Sequence, residues 1–144
     1  MRRNEGFTLV ELLIVLAVIA ALLATITPVA LNAVKKAKAT QVAENLRNIK
    51  TAIEQYVYVE QATPSEIQDL IDEHYLSADP GNSYDIDVGG LTGATALATV
   101  VYKGQDVDAD KVNQVFPEAT EASTDIGSLV KQNDIYVQFT IAKY

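Results

Sequence analysis

A chain of 144 residues has room for one domain and an appendage but not for two hydrophobic cores, and the absence of cysteine excludes disulfides and thiolate metal sites. The formal charge of −8 is unevenly divided: residues 1–59 hold seven basic against four acidic residues (+3), and residues 60–144 hold four lysines against fifteen acids (−11). The distal part therefore reads as an acidic, solvated body that repels nucleic acid.

Residues 1–6 are too short and polar to be a secretory signal with its own apolar region, and they read as a leader that stays cytoplasmic and is removed. Arg2 and Arg3 favour an inside N-terminus; Lys35, Lys36 and Lys38 pull the other way but lie farther from the apolar segment. From Phe7 to Val29 run 23 mostly apolar residues, long enough to span a bilayer as a helix. Glu11 interrupts them. An ionisable group at membrane depth costs roughly 2.5–3.5 kcal/mol, and a plain anchor gains nothing from it. Glu11 is therefore predicted to have a use. Pro28 removes a helix hydrogen bond and predicts a kink or loosened turn around Thr25–Pro28, with Thr25 and Thr27 helping to satisfy freed carbonyls.

The basic leader (Arg2, Arg3), Gly6, the run Phe7-Thr8-Leu9-Val10-Glu11-Leu12-Leu13-Ile14-Val15 and Pro28 together resemble the N-terminus of type IV pilins and of the pseudopilins of type II secretion. The resemblance covers about the first 60 residues. It implies that a prepilin peptidase and N-methyltransferase cuts after Gly6 and methylates the new N-terminal Phe7. Glu11 then stands at the fifth mature position and Pro28 at the twenty-second, and Phe7, Glu11 and Pro28 become the residues of assembly. The resemblance also implies residence in lipid before assembly, an inner-membrane assembly platform, and a homo-oligomeric helical filament, extracellular or periplasmic. Many type IV pilins close a C-terminal loop with a disulfide. This chain departs from that pattern and must close its own by packing.

The helical pattern continues past Pro28. Val42, Leu46, Ile49, Ile53 and Tyr56 recur at spacings of 4, 3, 4 and 3, an apolar stripe on one helix face. The stripe predicts the face on which the following domain docks, through Val42, Leu46, Ile49 and Ile53. A helix from Phe7 to about Val59 would be roughly 80 Å long. The domain line is then a leader (1–6), a membrane or filament-core helix (7–29), its amphipathic continuation (30–59) and a head (60–144). Thr63-Pro64-Ser65-Glu66 predicts a second helix with Thr63 as N-cap, Pro64 at the first helical position and Glu66 closing a capping box. Its buried face is Ile67, Leu70 and Ile71, and it is expected to end near His74–Leu76. His74, the sole histidine, reads as a surface residue at that end.

Asp79-Pro80-Gly81-Asn82 is a strong turn, after which strand chemistry takes over. Residues 83–88 and 95–103 read as strands around a loop marked by Gly89-Gly90 and Thr92-Gly93. Asp108 to Val115 reads as a short helix capped by Asp108. Ile135, Val137, Phe139 and Ile141 give a period-2 strand after the Asn133-Asp134 turn, and Ile126 to Val130 is a candidate edge strand. The fold class is α+β, a long helix carrying a small antiparallel sheet.

Asp106, Asp108 and Asp110 alternate as in a calcium loop, but Lys111 stands where that loop needs glycine and Pro117 where it needs a bidentate glutamate. They remain weak metal candidates beside the plainer reading that they cap a helix. No nucleophile–base pair is legible, which predicts no enzyme and no cofactor. The sequence and its resemblance together point to a prepilin, a structural filament subunit. Its rivals are a pseudopilin of a secretion machine and a membrane-tethered acidic domain acting as a monomer. The filament readings need Gly6 and Glu11, and the tether needs neither.

Overall fold

The computed structural model describes residues 6–89 and 95–142, in two compact units that divide between Lys35 and Lys36. Helix α1 runs from Leu9 to Glu60. In the first unit every residue from Gly6 to Lys35 is exposed, including Leu9, Leu12, Ile14, Leu16 and Leu22. Apolar character on all sides of a helix fits burial in lipid or among other helices rather than one flank of a soluble core. α1 is long and apolar enough to cross a membrane.

α1 does not break at Pro28. The proline has no N–H, so the Ala24 carbonyl is the one that loses its partner. Neither threonine takes that place. The Thr25 hydroxyl donates to the Leu22 carbonyl at 2.9 Å and the Thr27 hydroxyl to Leu23 at 2.7 Å. A helical threonine reaches back three or four residues. Ala24 is too close behind Thr25, and Thr27 prefers the carbonyl one residue farther back.

In the second unit α1 buries Ala39, Val42, Ala43, Leu46, Ile49, Ala52, Ile53 and Val57. Three of these are alanines, which widen the apolar stripe. Tyr56, assigned to the stripe by its spacing, is only half-buried and meets the Tyr75 ring edge-on at 5.5 Å; Val57 takes the fully buried position.

Helix α2, Ile67–Asp72, starts three residues later than the sequence predicts. The carboxylate of Asp69 accepts from the backbone N–H of Ser65 at 2.7 Å and of Glu66 at 3.2 Å, so the capping acid is Asp69 and the cap is Glu66. Pro64 is fully buried and lies ahead of the helix. Leu70 is buried while Ile67 and Ile71 are half-buried, and the helix ends at Asp72. His74 lies beyond that end, exposed and left-handed at φ 63°, where its N–H donates to Ile71 at 3.0 Å.

Strands β1 (Tyr84–Val88), β2 (Thr95–Tyr102), β3 (Thr120–Glu121) and β4 (Ile135–Ala142) form one antiparallel sheet in the order β1-β2-β4-β3. The loop between β1 and β2 lies, except for Gly89, outside the described residues. Ala98, Val100, Ile135, Val137 and Ile141 turn onto the helix and share one core with Val42, Leu46, Ile49 and Ile53; Phe139 packs against it half-buried. The edge strand is not Ile126–Val130, which closes only an isolated bridge on itself, but the two residues of β3. On the far face Val101, Ala122 and Val130 make a smaller core. Helix α3, Ala109–Val115, is capped by Asp108, whose side chain accepts from the Asp110 N–H at 3.2 Å.

Candidate functional site

The first site is built at the start of α1 by four consecutive chemistries. Gly6 lies in open space: a Cβ placed on it would meet nothing within 4 Å. Phe7 follows, 83 % exposed. Thr8 donates to one carboxylate oxygen of Glu11, Oε2, through both its backbone N–H and its hydroxyl, each at 2.8 Å; the Glu11 N–H returns a bond to the Thr8 hydroxyl at 3.3 Å. This is a capping box, with Thr8 as the cap and Glu11 three residues on. Thr8 is the residue that the sequence reading missed. Its signal is present in the sequence, since Thr8-Leu9-Val10-Glu11 has the same Thr-x-x-Glu spacing as Thr63-Pro64-Ser65-Glu66. The second carboxylate oxygen of Glu11 accepts no hydrogen bond among the described residues. Glu11 is exposed, as are its apolar neighbours, so the described residues of the first unit leave it unburied. Pro28 lies seventeen residues farther along the same helix, likewise exposed.

The second group of residues fixes the amphipathic part of α1 to the head. Lys38 pairs with Asp106 at 2.9 Å, and the Tyr102 hydroxyl donates to the same carboxylate at 2.5 Å. Asn45 donates to the Tyr84 hydroxyl at 3.1 Å, and the Tyr84 and Tyr102 rings lie 5.0 Å apart. Arg47 donates to the Val115 carbonyl at 3.2 Å and stands 5.1 Å from the Phe116 ring centre. Lys50 pairs with Glu118 and lies 5.2 Å from the Phe139 ring. Four polar side chains thus ring the apolar seam of Val42, Leu46, Ile49 and Ile53, which the structure places among its buried residues.

The alternating aspartates turn to different partners. Asp106 turns to Lys38 and Tyr102, while Asp108 turns to Lys111 at 2.7 Å and to its own helix. No group of three His, Asp or Glu side chains suited to a metal occurs among the described residues.

The Tyr102 hydrogen bond, and then Lys38, hold the Asp106 carboxyl below its ordinary range, while burial and that same carboxylate push the Tyr102 phenol far up. A carboxyl whose folded-state pKa is depressed contributes stability above its unfolded value, and that contribution disappears as pH falls through the folded one. Asp106→Asn is therefore expected to lower the melting temperature at neutral pH. The difference from the parent should shrink as pH falls below about 4. Asp106 is more than half exposed, so solvent screening keeps the effect small. A difference that stays constant down to pH 2 would show that the carboxylate contributes nothing by its charge.

A protein-family model described as the prokaryotic N-terminal methylation motif matches residues 1–27. The match spans Gly6, Phe7, Thr8 and Glu11 and ends one residue before Pro28. No curated protein and no solved structure matches the chain.

Proposed function

We propose, from the N-terminal methylation motif that marks type IV pilin and pseudopilin precursors, that this chain is a prepilin, the structural subunit of a pilus-like filament. It waits as a single-pass inner-membrane protein with its N-terminus in the cytoplasm. A prepilin peptidase removes residues 1–6 and methylates Phe7. An inner-membrane platform then draws the subunit from lipid into a helical filament outside that membrane. Residues 7–29 form the membrane-spanning and then filament-core segment, and residues 30–59 carry the head, residues 60–144, through Val42, Leu46, Ile49 and Ile53. Glu11 and Phe7 make the subunit contact, and Pro28 modulates the helix between them and the head.

The methylation motif carries the reading. The open space around Gly6 supports it. Among the described residues no packing requires a glycine at that position, which suits a requirement set by a protein that grips the backbone there. The whole apolar surface of residues 7–34 is likewise unburied, which suits a segment that passes from lipid to a bundle of its own kind.

Mass spectrometry of assembled protein should find a chain that starts at N-methylated Phe7. Gly6→Val, which puts a branched side chain against the peptidase, should accumulate at full length in the membrane. Met1 or Arg2 at the N-terminus of assembled subunits would overturn the processing step and with it the prepilin reading.

A further inference from the structure

The sheet has two outer edges, and they are finished differently. Along β2 the Leu97 carbonyl accepts from the Gly89 N–H at 2.9 Å, and the Lys103 N–H donates to the Ser83 carbonyl at 2.8 Å. Odd-numbered residues of β2 thus turn their backbone groups toward β1, and even-numbered ones toward β4. The register pairs those even residues with Ile135, Val137, Phe139 and Ile141. Tyr136, Gln138, Thr140 and Ala142 must then point N–H and C=O away from β2. β3 meets only Tyr136 of these, through Thr120. Gln138, Thr140 and Ala142 have no backbone partner on that side among the described residues.

By the same alternation β1 turns Tyr84, Ile86 and Val88 outward, but there two of the three donors are occupied. The Tyr84 N–H reaches the Gly81 carbonyl at 3.2 Å, and the Ile86 N–H is taken by the Asp85 side chain at 2.9 Å. Asp85 and Asp87 add charge to that edge. Charge, proline or brevity is how edge strands ordinarily resist pairing. The open stretch of β4 from Val137 to Ala142 has neither charge nor proline.

A cavity of about 580 Å³ lies beside this edge, between α1 and the end of β4, lined in part by Glu54, Tyr58, Val59, Thr140, Ile141 and Ala142. Tyr58 and Val59 are 63 % and 60 % exposed. A strand laid along β4 would send alternate side chains to the helix side of the sheet, toward this cavity. The charge in its lining is the single acid Glu54, and residues 60–144 carry a net −11. We propose that the outer edge of β4, Gln138–Ala142, takes an extended segment of another protein as an added strand, with an apolar side chain in the cavity and a basic residue beside Glu54. Backbone pairing would supply affinity and the cavity specificity. A second copy of this chain would bring another strongly acidic head to the same place, so the partner is basic.

The probe is a synthetic end-capped peptide that alternates lysine with valine and leucine, added to the full chain in detergent micelles. Amide exchange read by NMR should slow about tenfold or more at Gln138 and Thr140 when the peptide saturates. The same peptide N-methylated on alternate residues should give no protection. Thr140→Pro removes only an outward N–H and keeps the β2–β4 ladder. It should weaken binding about tenfold or more while the melting temperature holds. If it fails to fold, the N-methylated peptide on the unaltered chain decides alone. Unchanged exchange with the peptide, equal protection by the N-methylated form, or amides already protected in the free chain and released on dilution would each overturn the proposal. The last result would assign the edge to a second copy.

Discussion

Leu46→Ala is expected to destabilise the head by about 2–5 kcal/mol, because Leu46 is completely buried at the centre of the seam between α1 and the sheet. Its neighbours along the stripe, Val42, Ile49 and Ile53, are buried as well, and the opposite wall is made by strand residues such as Val100 and Val137. Both walls are regular secondary structure held by backbone hydrogen bonds, so they cannot collapse into the space that a lost isobutyl group leaves. A fragment lacking the first ~30 residues, the leader and apolar segment, should fold without lipid. In that fragment the substitution should lower the melting temperature on the order of 10 °C. Val59→Ala, a truncation at an exposed position of the same helix, should change it little. If the two variants melt alike, the seam does not hold the head.

What could be read in advance was local. The apolar run is one continuous composition, the stripe at 42, 46, 49 and 53 is one helix period, and Ile135–Ile141 is one strand period. The Asp108 cap lies beside the helix that it starts. What escaped is set by distant partners. β3 is two residues long, and its existence depends on β4 lying beside it, a pairing that no run of two residues announces. Pro64 fits a first helical position by local rules, yet the helix starts at Ile67, where Asp69 finds its two backbone donors. The cation that Asp106 meets, Lys38, is 68 residues away, which no local spacing announces. Thr8 is the exception, since its partner is only three residues on. Glu11 carries two signals at once, the cost of a carboxylate in lipid and the capping acid that Thr8 needs.

That capping box changes what a test of Glu11 must separate. Glu11→Ala removes two things at once: the acceptor for the Thr8 N–H and hydroxyl, and a negative charge. Glutamine also serves in a capping box, so Glu11→Gln keeps the first and removes only the second. In the filament reading, cleavage after Gly6 leaves a new α-amine on Phe7, in surroundings as apolar as those of Glu11. An unpaired charge there is prohibitive, and an amine of one subunit against the carboxylate of its neighbour offsets both desolvation costs. The box engages one carboxylate oxygen and leaves the other to accept that bond. Such a pair also fixes axial register, as buried polar groups do in coiled coils. Loss of one partner strands the other, at about 3–5 kcal/mol per contact. Both Glu11→Ala and Glu11→Gln are therefore expected to insert and be cleaved normally, yet to enter filaments only when mixed with unaltered subunits. Electron microscopy of sheared filaments, with mass spectrometry of the subunits inside them, reads the outcome directly. If Glu11→Gln builds filaments alone and in normal number while Glu11→Ala does not, the glutamate serves to cap its own helix, and the charge-pair mechanism fails.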